Sequence, residues 1–325
     1  MNKKILSAVL STSLLTGSIF AVGTTAFAAD AELSLAYQYG LAYAPAVIAQ
    51  QKGFIEEAYK ENGGGELTVN WNQMSSGADI NVGIASGELD AGFMGLGPAI
   101  TGVTKGVGYR IFSNLSGQRH GMMSNDPEVD SLEDLVGSDK QIALVNIGSI
   151  QHIILAKALA DNGFDPHALD ANIVVMAHPD GMTALTSGSA TCHLTSSPYI
   201  FMEEDAGTFT EVPEVNEAWG VDKSFIVGVA SEALHDESPE LYEALCDGIK
   251  KGMDFLLENP EEAAALLCEL DGNTAEVEQK YLEMGSYQEE TNGIFDMATF
   301  MADNQFIENA PESYEDLVFD NVKGN

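Results

Sequence analysis

SSGADINVGIASGELDAGFMGLGPAI, residues 75–100, decides the fold of this chain. Ser75 and Ser76 carry side-chain oxygens of the kind that accept from the free N–H groups at a helix start. Ile80 and Ile84 then recur at helical spacing, so a short helix is expected over Ala78 to Ser86. Gly87 follows as a residue able to take the left-handed conformation that stops it. Leu89 to Met94 reads as a short buried strand. Gly95, Leu96, Gly97 and Pro98 are expected to leave the strand in a tight turn and open a second helix with Pro98 at its first position. Two helix starts then lie near one strand edge. Each offers unpaired N–H groups and a partial positive charge, an arrangement that holds an anion or an acceptor-rich small molecule.

The same grammar returns in HPDGMTALTSGSATCHLTSSPYIF, residues 178–201, as a short helix, a Ser-Gly stop, a strand and a polar turn running into proline. Asp79 and Ser86-Gly87 match Asp180 and Ser187-Gly188 at one constant offset, and Pro198 falls one residue early of the match to Pro98. A repeat of this kind implies two similar α/β lobes that present helix starts to a shared cleft.

Composition sets the outer bounds. The chain has 325 residues, 45% of them hydrophobic, with 32 glycines, which suits roughly two globular α/β domains and not a disordered chain. Its first residues follow the layout of a secretory signal peptide: MNKK, the apolar run ILSAVLSTSLLTGSIFAVG, and the small-residue site Ala26-Phe27-Ala28. Cleavage after Ala28 is expected, giving residues 1–28 as the signal. The run is broken by Ser, Thr and Gly and is short for a membrane span. With no cysteine near the cleavage point to carry a lipid anchor, the mature protein is expected to be a soluble secreted or periplasmic monomer. Removing Lys3 and Lys4 leaves 12 of the 14 basic residues against all 50 acidic ones, a net charge near −38. Such a surface makes nucleic acid an unsuitable partner. Cys192 reads as a strand-core thiol. Cys246 and Cys268 lie on different expected helices, where two free thiols are favoured over a pair, and the three have no metal-ligand spacing.

Along the chain, Leu33 to Gln38 reads as a first strand running into a helix over about Pro45 to Gln51. Gln38, Tyr39 and Tyr43 therefore leave a strand's C-terminal end, where open α/β sheets bind ligands. A second helical piece from Glu56 to Asn62 and a strand from Leu67 to Trp71 lead to the deciding segment. Tyr109 to Leu115 is a strand, and the first crossing between lobes is placed just after it, near Arg119. SLEDL, with Ser131 as N-cap, has the form of a capping box. Strands follow at Gln141 to Val145, Asn172 to Met176, Thr191 to Leu194 and Ser224 to Ala230. Gly148 and Ser149 open an apolar helix and form a third candidate donor set, without the Gly-Lys-Ser/Thr ending of a phosphate loop. Three C-terminal helices, Pro239 to Leu257, Pro260 to Leu270 and Thr274 to Met284, are expected to pack on the first lobe.

Taken together, YQYGLAYAPAVIAQQKGF, the deciding segment, DSLEDLVG, GSIQHIILAKAL and HPDGMTALTSG resemble, in order and spacing, the nitrate, sulfonate and taurine group of ABC-transporter solute-binding proteins. The resemblance implies a two-lobed type II periplasmic-binding-protein fold with the ligand enclosed between lobes, and an ABC transporter permease as partner. On the basis of the repeated unit, the mature chain is expected to divide into a first lobe of residues 29–115 plus 225–325 and a second of residues 116–224. Positions matching the family's cleft are Gln38, Ser76, Gly77, Gly95, Leu96, Gly97, Pro98, Gly148, Ser149, Ser196, Ser197 and Pro198. Tyr39 and Tyr43 are added as cover for an apolar remainder. Arg110 and Arg119 are the chain's two arginines, so an arginine clamp requires Arg119 to face the cleft.

A thiamine-pyrimidine-synthase type of enzyme shares this fold but brings a cysteine-rich motif that is missing here. His120, His152, His178 and His193 are scattered and read as structural or surface residues. No catalytic residue, metal set or cofactor is expected. The ligand favoured by the sequence is a small organic anion, held mainly by backbone donors, with a neutral thiamine-precursor pyrimidine and a non-transport sensor as the alternatives.

Overall fold

In a computed structural model, residues 31–325 are described; the expected signal peptide lies outside them. The chain opens with β1 (Ala31–Tyr37), α1 (Ala44–Lys52), α2 (Phe54–Glu61), β2 (Leu67–Gln73), α3 (Gly77–Ser86), β3 (Ala91–Gly95), α4 (Leu96–Thr104) and β4 (Tyr109–Gly117). It then builds β5 (His120–Ser124), β6 (Ile142–Leu144), α5 (Ile150–Asp161), β7 (Ile173–Val175), α6 (His178–Ser187), β8 (Cys192–Ser196), α7 (Tyr199–Ala206), β9 (Thr210–Val212) and α8 (Pro213–Glu217). The return adds β10 (Ile226–Ser231), α9 (Glu232–Glu237), α10 (Pro239–Glu258), α11 (Pro260–Asp271), α12 (Ala275–Glu283), β11 (Ser286–Tyr287) and α13 (Ile294–Asp303).

Two sheets result, one per lobe. The first runs β11-β4-β10-β3-β1-β2 and the second β7-β6-β8-β5-β9. In the first, β1 is parallel to β2 and β3, while β10 pairs antiparallel with both β3 and β4. Central strands such as β3 are buried along their whole length because helices cover both faces, which is why they read as apolar runs without alternation. Leu33, Leu35, Phe93 and Ile48 are fully buried at its centre, each contributing about 1.5–3 kcal/mol by leaving water.

Two crossings join the lobes, from β4 into β5 and from α8 back to β10. They lie back to back: a Cβ placed on Gly117 would come within 2.0 Å of the Val221 carbonyl oxygen, so only glycine fits there. Phe225 N–H donates to the Ser116 carbonyl at 2.8 Å, and the Phe225 ring stacks on His120 at 5.6 Å.

Several local expectations need correction. Helix α4 begins directly at Leu96, so no tight turn intervenes and Pro98 is its third residue, still within the first turn where a missing N–H breaks no bond. Residues 131–135 form turns, not a helix. There the Asp134 carboxylate accepts from Ser131 Oγ and from the Asp130 and Ser131 N–H groups, closing the segment on itself. Helix α2 starts right after Gly53, whose φ of 69° sets the bend from α1. The C-terminal helices reach both lobes. Helix α10 lies on α1, with Gly252 so close that a Cβ would sit 2.2 Å from the Pro45 oxygen. Tyr281 of α12, by contrast, stacks on Phe201 at 5.0 Å and donates to Asp205 at 2.9 Å. Cys192, Cys246 and Cys268 are all free, and burial pushes the Cys192 thiol up to about 11.

Candidate ligand-binding site

Between the lobes lies a small cavity, about 20 Å³ of space for the centre of a water-sized sphere. Gln38, Tyr39, Tyr43, Ser75, Gly77, Gly95 and Pro98 line it from the first lobe. Val145, Asn146, Ser149, Ile150, Gln151, His178 and Ser196 line it from the second, with Phe225 and Ile226 closing the side near the crossings. Four helices start on it: α3 at Gly77, α4 at Leu96, α5 at Ile150 and α6 at His178. Each start is local sequence at work. Ser76 Oγ accepts from Asp79 N–H at 3.3 Å and donates to the Asp79 carboxylate at 2.8 Å. Ser149 Oγ accepts from His152 N–H at 3.2 Å, and Gly148 at φ 79° makes the turn that delivers it.

Among the described residues, the lining contains no Asp, Glu, Lys or Arg. Its polar groups are amides, hydroxyls and one imidazole. Gln38 Nε2 is buried and has no partner among the described residues, a donor held ready in the wall. His178 is buried, and burial followed by the neighbouring His193 pulls its imidazole down to about 3, so it is neutral at pH 7. Its Nε2 accepts from Gln151 Nε2 at 3.1 Å and its Nδ1 meets Thr195 Oγ1 at 3.0 Å. Burial likewise raises the Tyr43 phenol well above its ordinary value.

Of the residues singled out in the sequence, Gln38, Tyr39, Tyr43, Gly77, Gly95, Pro98, Ser149 and Ser196 line the cavity. The others stand behind it. Ser76 caps α3. The Leu96 N–H donates to the Phe225 carbonyl at 2.9 Å, and Gly97 packs on Ile153. Gly148 borders an outer groove with His152 and Phe306. Ser197 donates its N–H to the Arg119 carbonyl at 3.2 Å, and Pro198, after a cis peptide bond, stands at the N-cap of α7. Arg119 makes no clamp for a ligand. Its guanidinium is taken by Glu204, by Glu211 at 2.8 Å and by the His120 carbonyl at 2.8 Å, because α7 and β9 each bring a carboxylate to it. Asn146, Gln151 and His178 went unselected. Yet His178 occupies the place in the repeat that Gly77 occupies in the first lobe, and that equivalence was the available signal.

Two α/β lobes, two close-set crossings and an enclosed polar cavity between them define a solute-binding protein of the periplasmic-binding-protein class. The chain belongs to the NMT1-like family, whose model matches residues 28–270. It is 26% identical over 245 residues to the taurine-binding periplasmic protein of Escherichia coli (strain K12), covering 74% of this chain and 72% of that one. Among solved structures, it resembles the alkanesulfonate-binding protein SsuA from Xanthomonas axonopodis pv. citri bound to MOPS, at TM-score 0.73 and 15% identity, with 90% and 98% of the two chains covered. The periplasmic nitrate-binding protein NrtA from Synechocystis PCC 6803 matches at TM-score 0.60 and 17% identity, over 76% of this chain and 68% of that one. The resemblance to the nitrate, sulfonate and taurine group therefore holds, and these relatives are binding proteins, not enzymes.

Proposed function

We propose that the chain captures a small organic anion of the sulfonate, taurine, nitrate or carboxylate class outside the cytoplasmic membrane and delivers it to an ABC transporter permease. One observation carries this reading: four helix starts surround a cavity whose walls hold no charged side chain. Each start favours an anion by about 0.3–1 kcal/mol at a surface and up to about 2 kcal/mol when partly buried. With no carboxylate in the wall to oppose them, these contributions share one sign. Gln38, Ser149, Gln151 and Ser196 supply directional hydrogen bonds, and Tyr39, Tyr43 and Phe225 cover the apolar remainder. Residues 29–115 with 225–325, and residues 116–224, close on the solute by bending at the paired crossings, giving the permease a shape distinct from the empty one.

The uncharged wall also suits a neutral aminopyrimidine, which would use the same amides and aromatic faces. A thermal-shift panel of alkyl and aryl sulfonates, taurine, nitrate, aromatic carboxylates and aminopyrimidines separates the two. A ligand at about 100 times its dissociation constant adds about 2.7 kcal/mol. The anion reading expects stabilisation by members of the first four classes and its loss in Ser149→Asp, whose carboxylate still caps α5 but repels a second negative charge. Stabilisation by pyrimidines alone, undiminished in Ser149→Asp, would overturn it.

A further inference from the structure

Beneath the cavity, His178 begins a buried file of polar groups that solute contact alone does not require. His178 Nδ1 lies 3.5 Å from His193 Nε2, and His193 Nδ1 lies 2.5 Å from Glu203 Oε1. Glu203 has no exposed surface, and its Oε2 has no partner among the described residues. The file is accommodated by a specific vacancy in α6: a Cβ on Gly181 would lie 2.4 Å from His193 Nε2, so any larger residue would evict the ring. Across the sheet His193 faces only Met123 and Ala143. On α7 the charged neighbour is Glu204, itself held by Arg119, which also pairs with Glu211 of β9, and the Tyr199 ring stacks on His178 at 5.7 Å; from α6 the titratable neighbour is His178.

We propose that Glu203 is a positioning residue whose proton, relayed as hydrogen-bond direction through His193 and His178, decides whether Gln151 turns its NH2 or its carbonyl toward the bound solute. With the proton in place, the Glu203 hydroxyl donates to His193 Nδ1. His193 then carries its hydrogen on Nε2, facing His178 Nδ1. His178 carries its own on Nε2 and donates to the Gln151 carbonyl once the amide turns over from its orientation in this structure, where Gln151 Nε2 faces His178 at 3.1 Å, and this leaves the Gln151 NH2 for the solute. When Glu203 releases its proton to solvent, both imidazoles change tautomer, each still holding one hydrogen. His193 Nδ1–H now donates to the carboxylate, His178 Nδ1–H turns to Thr195 and His193, and His178 Nε2 accepts from the Gln151 NH2. The carbonyl is left facing the cavity above a buried negative charge. Both changes oppose an anion, so the protonated file is the binding form. Burial, reinforced by Glu204, raises the Glu203 carboxyl to about 9, and burial lowers both imidazoles to about 3, so the file is protonated at Glu203 and uncharged elsewhere at pH 7.

This inference rests on the anion reading, and its test has one arm that does not. In the ligand-free full chain with 15N-labelled histidine, the His193 proton is expected on Nε2 at pH 7 and on Nδ1 at pH 10.5, with His178 switching in step. Glu203→Gln is expected to abolish the switch. An unchanged tautomer across that range, or a switch that persists in Glu203→Gln, overturns the relay. In the second arm, calorimetry with propane-1-sulfonate, which has no titrating group in this range, is expected to give binding about ten-fold weaker at pH 10 than at pH 7. Glu203→Gln is expected to flatten that profile. A flat wild-type profile overturns the claim that the relay acts on the solute. A chain that switches tautomers yet binds no sulfonate at any pH supports the relay and counts against the anion reading.

Discussion

Helix α3 with β3 in the first lobe and α6 with β8 in the second are the same unit built twice, residue for residue at one offset, and they differ most where they touch. Gly87 and Gly188 stop the two helices at the same φ of 75°. In the first lobe the helix contributes Ile80 and the strand contributes Gly92, where a Cβ would lie 2.5 Å from Ile80 Cγ2. In the second the sizes are reversed: the helix contributes Gly181 and the strand contributes His193. At the helix starts Gly77 corresponds to His178, and at the strand ends Gly95 corresponds to Ser196. Within this repeated unit the first lobe thus offers the cavity the glycines Gly77 and Gly95, and the second offers it the side chains of His178 and Ser196, backed by a polar file. One backbone frame accepts either solution because the contact requires only one large and one small partner, and it is indifferent to which element supplies which.

The sharpest way to break that equivalence is to restore the first lobe's arrangement in the second. Gly181→Ile alone should overpack against His193 and cost about 3 kcal/mol in urea denaturation at pH 7. Adding His193→Gly should recover more than half of the loss, although Glu203 then lacks its partner. Additive losses in the double variant would show that the two contacts are not interchangeable.

Gly97 tests the join between the units. A Cβ there would meet Ile153 Cδ1 at 2.3 Å and the Gly148 oxygen at 3.3 Å across the cleft. Gly97→Val should therefore prop the lobes apart and weaken solute binding about ten-fold, about 1.4 kcal/mol, while leaving ligand-free thermal stability nearly unchanged. A fall in ligand-free stability with unchanged affinity would place the contact within one lobe's fold instead.

The smallest effect concerns the caps. Ser76→Ala should cost about 1 kcal/mol by removing the acceptor for Asp79 N–H. Ala177, its counterpart, has no side-chain cap, yet its φ of −65° and ψ of 155° nearly match those of the capping Ser149. Ala177→Ser should accordingly gain about 0.5–1 kcal/mol in chemical denaturation. A loss there would mean that the two helix starts differ in more than the capping atom.

Much of this frame is legible in residues 75–100. Ser76 and Gly87 mark the ends of α3 because a cap and a left-handed stop act within a few residues of chain. SLEDL carries equally good local signals and forms only turns: Leu132 and Leu135 are buried, but Gly137 at φ 81° breaks the chain two residues further on, leaving too few residues for a helix to propagate. Arg119 was beyond local reading for another reason. Its partners Glu204 and Glu211 lie far along the chain and meet it only after β5, β8 and β9 assemble. The contact of α12 with Asp205 and Phe201 depends in the same way on both lobes being in place. His178, read from the sequence as a structural or surface residue, lines the cavity, and the repeat that pairs it with Gly77 carries the signal for that place.

An uncharged seat inside a chain of formal charge −36 has a kinetic signature of its own. The anion proposed as its solute would climb a repulsive field on the way to a cavity whose described lining offers no ionic bond. Dissolved salt shortens the reach of that field from about 30 Å at 0.01 M to about 8 Å at 0.15 M. Capture therefore accelerates as salt is added, opposite to the behaviour of an arginine-lined site, while escape from the closed cleft barely responds. For the anionic solute proposed, affinity should therefore rise in brine and fall in fresh water.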